Sequence, residues 1–538
     1  MSETPEAHDE QTPPETEEAP KGPEAAQPDE AQDAPETPEP EGAAEAPAPD
    51  EAAEKPEPPA VPEPAPEPED APAEPEPASE PEDAAAEPEP APQPEDAPAE
   101  PEPAAEVEEP PARPKKPAPA KPTAEEPTDE PAPEADMGKV VLVGNAIIAQ
   151  SGGPTAVINQ SLVGAIKEMM KSKEIKGVYG ARHGIRGMLA EDFVDLRAEN
   201  PRSLEKIAKT PSAALGSVRM KPTMDDCMRL FKICQKRDVR YLFYIGGNDS
   251  AETAHIVASA AAEAGYDMRV YHIPKTIDND LLVSDHCPGY GSAARFVALA
   301  QMGDQLDNRS LLGIKINVIM GRDAGFLTAA SVLGQQRSDD GPHLVYVPER
   351  PFRADKFISD VKTVYDELGR CVVAVSEGIR DEHGEPVYKS GELDMHNNNQ
   401  FSGSGALGDL LSQTVKERLG KDLRVRADTF GYLQRSFPDV VSKVDAEEAL
   451  RVAREAVRLA VTDEHVSGSV AIKRTGTAKT YAVSYEWTPL ESVAKNTRHM
   501  PDELINVEGN GVTEAFRDYA LPLVGRLPRL GWLKGKSI

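Results

Sequence analysis

The chain has 538 residues and a formal charge of -36 from 94 acidic and 58 basic side chains; residues 1–136 hold 43 acidic and 6 basic of these, a net of -37, leaving 51 acidic and 52 basic, a net of +1, in 137–538. No apolar run approaches the roughly 18–20 residues of a membrane helix, and residues 2–12 lack the basic start and apolar core of a secretory signal, so a soluble, cytoplasmic protein with no membrane partner is expected. A near-neutral folded part argues against nucleic acid as a partner, and Cys227, Cys234, Cys287 and Cys371, with no CxxC pair or metal-ligand spacing, argue against zinc or a disulfide framework.

Residues 1–136 take 38 of the 53 prolines, 2 of the 39 glycines and no Phe, Tyr or Trp. Without aromatic anchors they bury too little apolar surface to offset chain entropy, and a long disordered Pro/Glu/Ala-rich tail is expected. The triplet Pro-Glu-Asp recurs at Pro68, Pro81 and Pro94. Ala and Pro give these repeats nothing to stack, so no solenoid follows. Alternating Pro and Glu favours polyproline II, a spacer reaching at most roughly 400 Å at ~3.1 Å per residue. Arg113, Lys115, Lys116 and Lys121 form a small basic island, and Met137, where composition changes, is a candidate alternative start. The plain reading is a solvated spacer; the sharper one is a tail for an unidentified partner.

From Asn145 onward, short apolar runs alternate with helical stretches, the pattern of α/β units on a mostly parallel sheet. AIIAQ (146–150) reads as a strand followed by SGGPT and by a helix carrying Val157, Ile158, Leu162, Val163, Ile166 and Met169. YLFYI (241–245) runs into GGNDS and an Ala-rich helix, and VYHI (270–273) into PKTIDND. INVIM (316–320) runs into GRDAG and a helix through Leu333, and VVAV (372–375) into SEGI. Polar loops, four of them glycine-bearing, thus follow five strands at their carboxyl ends, where ligands bind in a parallel sheet. Two sheets are needed. The expected division is 137–290, 291–434, and a segment 435–538 returning to both.

GGNDS opens a helix directly after a strand, and SGGPT repeats the arrangement, so that backbone N–H groups can approach a phosphate. A single glycine turn of this kind is more often structural; the pair carries the argument. PKTIDND gathers one ammonium and two carboxylates within Pro274–Asp280. Phosphoryl transfer needs positive charge on the transferring group, a carboxylate to accept the alcohol proton and a ligand for Mg2+, roles open to Lys275, Asp278 and Asp280 in that order. Arg322 in GRDAG, with Arg426 and Arg435 on either side of FGYLQ, adds guanidinium forks that suit phosphate.

Taken together, SGGPTAVIN (151–159), LGSVR (215–219), GGNDS (246–250), PKTIDND (274–280), MGRDAG (320–325), SEGI (376–379) and RADTFGYLQRS (426–436) resemble the phosphofructokinase family in the order that family uses, over nearly all of 145–436. The resemblance is greatest to its diphosphate-dependent branch. It implies two Rossmann-like three-layer α/β domains, an active site between them, fructose 6-phosphate and diphosphate as substrates, Mg2+ as cofactor and a homo-oligomer, dimer or tetramer. Carried over by position, Gly152, Gly153, Arg219, Gly247, Asp249, Ser250 and Lys275 meet diphosphate, and Asn248 and Asp280 hold the metal. Thr276, Ile277, Asp278, Met320, Gly321, Arg322, Glu377, Tyr432, Leu433, Gln434 and Arg435 meet the sugar phosphate, joined by Arg426 from a neighbouring subunit. Asp278 is then the proton acceptor, with Lys275, Asp249 and Arg322 beside it in the catalytic set.

Two positions bear on the donor. ATP-dependent members typically carry glycine at the places of Asp249 and Lys275. A carboxylate at Asp249 adds bulk and negative charge where a nucleotide would continue, while Lys275 supplies charge to a compact anion. Some positions depart from the family. Asn248 stands where many relatives have Asp, Tyr432 where ATP-dependent members often have His, and Gly313 where bacterial ATP enzymes place an arginine that crosses to the next subunit; Arg309 and Lys315 are candidate substitutes, though neither aligns. An ordinary Asp with a pKa near ~3.9 is a weak base, so proton transfer to Asp278 is expected late. The residues leave open an ATP-dependent or mixed-donor enzyme, a preference for another ketose phosphate such as sedoheptulose 7-phosphate, and, from a different class, an inactive scaffold with an interaction tail.

Overall fold

The computed structural model describes residues 142–389 and 405–534, apart from 463–465, 478 and 495; the acidic segment 1–136 lies outside the described residues. Eleven strands are described: β1 (Gly144–Gln150), β2 (Ile175–Ala181), β3 (Phe193–Asp195), β4 (Val239–Gly246), β5 (Arg269–Pro274), β6 (Gly313–Ile319), β7 (Leu344–Tyr346), β8 (Arg370–Ser376), β9 (Val425–Thr429), β10 (Gly468–Arg474) and β11 (Val483–Thr488). They form a seven-stranded sheet, β11-β10-β5-β4-β1-β2-β3, and a four-stranded sheet, β7-β8-β6-β9. The small sheet is parallel throughout, and in the large one only the outer strands β3 and β11 run antiparallel.

Each sheet is covered on both faces, which makes three layers. Along β1, Ala146 and Ile148 enter one apolar cluster with the helices Ile158–Met169 and Lys443–Val461. Ile147 and Ala149 face the opposite cluster, with the helices Met224–Lys236 and Asn248–Glu263. The strict period of two puts both sets in cores, so the strand reads as one unbroken apolar run. The small sheet repeats this: Ile314, Ile316 and Val318 pack with Phe357, Val361, Leu411 and Val415. Its other face meets the helix Tyr290–Leu311, whose Ala293, Ala294, Val297 and Ala298 join Ile319 and Ala374.

The last hundred residues return to both sheets. Helix Lys443–Val461 presents Ala449, Val452, Ala453, Ala456 and Ala460 to the first sheet's layer, and β10 pairs in parallel with β5. Phe516, Ala520, Leu523 and Val524 of the helix Glu514–Val524 pack instead with the Tyr290–Leu311 layer. All four cysteines are free and buried. No helix among the described residues is long and apolar enough to cross a membrane.

One expected element differs. The helix through Leu333 is a four-residue α-turn, Phe326–Ala329, followed by a 3₁₀ segment, Ala330–Gly334. Every residue of it is buried, so no polar face exists to fix a 3.6-residue period. The helices Ile158–Met169 and Lys443–Val461 approach so closely that a Cβ on Gly164 would stand 2.4 Å from the Leu450 carbonyl oxygen. Gly164→Ala is therefore expected to cost about 1–3 kcal/mol by overpacking, read as a lowered melting temperature of the full chain; an unchanged Tm would show that this contact is loose.

Candidate active site

The polar loops at the carboxyl ends of β1, β4 and β5, the first two glycine-bearing, meet on neighbouring strands of the first sheet. After β1, Gly152 adopts φ +73°, a conformation that costs an L-residue roughly 1–2 kcal/mol. Its backbone is tied to the 215–219 segment: Gly152 N–H donates to Val218 O at 3.1 Å, and Ser217 Oγ donates to Gly152 O at 2.6 Å. This turn receives the Lys275 side chain. Lys275 Nζ donates to Gly153 O at 2.8 Å, and a Cβ on Gly152 would come within 3.0 Å of it. Next to it, a Cβ on Gly153 would lie 3.3 Å from the Arg435 guanidinium.

Lys275 is 3% exposed. Burial first, and then the Arg435 and Arg219 charges, push its ammonium down to about 8. Asp278 lies at the centre of the same group, within the electrostatic reach of Arg435, Lys275, Arg322 and Arg219. Burial outweighs these four cations and holds the Asp278 carboxyl above the ordinary range. The expectation of an ordinary Asp pKa is corrected accordingly, because desolvation is a tertiary effect that local sequence does not reveal. Arg435 itself is held below its usual value by burial and by Arg219, with Asp278, Tyr432 and Glu377 opposing, and its guanidinium lies 4.5 Å from the Tyr432 ring centre.

Two carboxylates share the turn after β5. Thr276 Oγ1 donates to Asp280 Oδ1 at 2.9 Å and accepts the Asp278 N–H at 3.1 Å. Asp280 is pushed up to about 6 by burial and by Asp278. Asn248, the first residue of the helix after β4, directs Nδ2 to Asp280 Oδ2 at 3.4 Å, while its Oδ1 is buried without a hydrogen-bond partner. Gly247 precedes it as the cap, Ser250 is buried behind it, and Asp249 is exposed, with a field that reaches Lys221 and Tyr244. Among the described residues no three His, Cys, Asp or Glu side chains gather as a metal cluster.

The second sheet supplies the opposite wall. Gly321 and Arg322 follow β6 and Glu377 follows β8, strands that pair in parallel. The two loops interlock: Glu377 N–H donates to Ile319 O at 2.9 Å, Ser376 Oγ donates to Gly321 O, and a Cβ on Gly378 would strike the Arg322 backbone at 1.9 Å. Met320 and Ile277 are buried in the apolar cluster behind these loops. Gln434 is buried, whereas Tyr432 and Leu433 are exposed. Arg426 lies on β9, the edge strand, with its side chain exposed, and is not gathered with the other cations.

Sequence reading missed two supports. His272 on β5 is buried between Ser469 Oγ (2.8 Å from Nδ1) and Gly246 O (2.9 Å from Nε2), and burial pushes it down to about 4, so it is a neutral strut under the Gly246–Gly247 turn. Arg498, from the C-terminal segment, donates its N–H to Asp280 O at 2.7 Å and its Nη1 to the carbonyls of Ser284 and Asp285. Neither carried a local motif.

The sequence profile described as Phosphofructokinase matches residues 145–460. The chain belongs to the phosphofructokinase family. It is 54% identical over 387 residues to a pyrophosphate–fructose 6-phosphate 1-phosphotransferase of Rhodospirillum rubrum, covering 71% of this chain and 95% of that one. A protein of the same name from Xanthomonas campestris is 38% identical over 395 residues, covering 71% and 91%. Among solved structures, the pyrophosphate-dependent phosphofructokinase of Marinobacter aquaeolei superposes with a TM-score of 0.64 at 33% identity, covering 73% and 94%.

The local backbone of this chain bears on the departure at Gly313. This residue has φ +98°, and a Cβ there would meet Arg424 O at 2.6 Å, so an arginine does not fit. The two candidate substitutes carry ion pairs within this chain, Arg309 with Asp339 and Asp340, and Lys315 with Asp304 and Asp428. Gly152→Ala, which strains the turn and crowds the Lys275 ammonium, is expected to weaken calorimetric binding of inorganic diphosphate about tenfold, or 1.4 kcal/mol; unchanged binding would separate this turn from the anion site.

Proposed function

We propose that the protein is a diphosphate-dependent 6-phosphofructokinase, transferring a phosphoryl group from diphosphate to O1 of fructose 6-phosphate to give fructose 1,6-bisphosphate and phosphate, reversibly. The observation that carries this reading is Lys275, a buried ammonium in the turn of Gly152 and Gly153, with the Asp249 carboxylate heading the neighbouring helix. A compact anion brings no adenosine to contribute binding energy, so charge at its phosphates must replace it. Burial makes that charge strong, and removal of a single donor in such a site typically costs roughly 2.7–4 kcal/mol.

In this reading the O1 oxygen attacks the distal phosphorus of diphosphate, the new O–P bond forms as the bridging P–O bond breaks, and phosphate leaves. Asp278 accepts the hydroxyl proton, and its raised affinity for protons, set by burial, makes it a better base than an exposed Asp. Lys275, Arg322, Arg219 and Arg435 offset the phosphate charge. Thr276, Ile277, Met320, Gly321, Glu377 and Tyr432 to Arg435 hold the sugar phosphate, and Gly247 and Ser250 the donor. Mg2+ fits Asn248 and Asp280, where a partnerless buried Oδ1 adjoins a carboxylate, since this ion keeps several waters and completes its shell with substrate phosphates. When bound, it neutralises phosphate charge. The exposed Arg426 on an edge strand suits a homo-oligomer in which it reaches a neighbouring subunit's sugar phosphate. Functionally, 137–290 is the donor side, 291–434 the sugar side, and 435–538 returns to both, in a cytoplasmic enzyme of glycolysis and gluconeogenesis.

Purified protein assayed with fructose 6-phosphate and Mg2+ is expected to form bisphosphate from diphosphate far faster than from ATP; the reverse preference would overturn the donor assignment. Lys275 adds a pH signature. Its folded-state value of about 8 lies below the ordinary lysine value of ~10.4, so kcat/KM for diphosphate falls as pH rises through about 8, and Lys275→Arg moves that limb upward. The unfolded chain holds this proton longer, so the ligand-free fold gains stability from Lys275 between about pH 8 and ~10.4. A kcat/KM profile flat to pH 9 would contradict this assignment.

A further inference from the structure

Between Asp278 and Asp280 stands Asn279, fully buried and in the left-handed region at φ +61°. Asn tolerates that region better than most residues, yet a buried carboxamide must also be satisfied. Here both ends are used. Oδ1 accepts the Cys287 N–H at 2.9 Å, and Nδ2 donates to Tyr519 Oη at 2.6 Å. Tyr519 Oη in turn donates to Asp285 O at 2.9 Å, so one hydroxyl fastens two points of the turn 279–285.

Tyr519 comes from the helix Glu514–Val524, 240 residues further along the chain. Its ring is fixed on several sides. Phe326, Phe516 and Tyr290 lie with ring centres 5.9, 6.3 and 6.4 Å away, the Arg474 guanidinium lies 4.5 Å from its centre, and Arg474 also donates to the Tyr519 carbonyl. Phe326 follows directly on the loop that carries Arg322. The ring therefore rests on the Arg322 loop's helix while the hydroxyl holds the Asp278–Asp280 turn. We infer that Tyr519, acting through Asn279, is a positioning residue that sets the two carboxylates of one loop against the cations of the other. This rests on the catalytic reading of Asp278 and Asp280 given above.

Tyr519→Phe keeps the ring and its packing and removes the hydroxyl. In the full-length protein kcat is expected to fall about tenfold, with KM for fructose 6-phosphate and diphosphate changed less than about twofold, because reacting groups are misplaced while binding groups stay. Asn279→Gly, which accepts the left-handed backbone, removes both side-chain bonds. If the two act on one path, the double variant loses far less kcat than the product of the two single losses, whereas independent structural damage multiplies. A kcat loss in Tyr519→Phe under about threefold, a matching rise in both KM values, or multiplied losses in the double variant would overturn the inference. Parent and variants are run with diphosphate and with ATP. A parent active only with ATP defeats the donor reading, and the positioning role is then judged on the ATP rates.

Discussion

A positive charge buried where water cannot reach it is the constraint around which this site is built. Lys275 sits at the end of an internal strand, its ammonium held by the carbonyl of Gly153 and surrounded by two further cations, Arg435 and Arg219. A buried ammonium is costly, and burial together with these cations pushes its pKa down to about 8, against the opposing Asp278 and Asp280 carboxylates. The surrounding structure supplies a glycine turn without side chains and a neutral His272 strut beneath the neighbouring turn. An anion bound between them would relieve the repulsion among these cations.

The two sheets divide the labour that follows. One presents three adjacent strand ends, two of them with glycine turns; the other presents Arg322 and Glu377 on two interlocked loops. Nothing in either sheet alone brings Asp278 within reach of cations from both sides. The C-terminal segments do so, with Arg498 holding the Asp280 backbone and the helix Glu514–Val524 joining the aromatic layer behind the second sheet.

The motif-bearing strands were legible because each is a short apolar run ending in glycine and polar residues: YLFYI before GGNDS, VYHI before PKTIDND. Less was legible where burial broke the apolar code. The helix Tyr290–Leu311 hides Gln301, Gln305 and Asn308 on its inner face, so its hydrophobic period is interrupted and sequence reading gave it no element. The strand Ile175–Ala181 contains two glycines, and β3 and β7 are three residues long, too short for any period. At the site, residue types and spacing pointed to Lys275, Asp278 and Asp280. Their protonation tendencies, the roles of His272 and Arg498, and the incompatibility of Gly313 with any side chain depend on contacts hundreds of residues apart, which local pattern does not encode.

Lys275 is a desolvated cation that a bound anion would neutralise, and its ammonium can be observed directly. In protein labelled on lysine side chains, NMR titration with the Lys275 signal assigned by comparison to Lys275→Arg should give a pKa of about 8 without ligand, moving toward the ordinary ~10.4 when diphosphate is added. A ligand-free value already at ~10.4 and unmoved by diphosphate would show that this lysine is solvated and is not the donor's counter-charge.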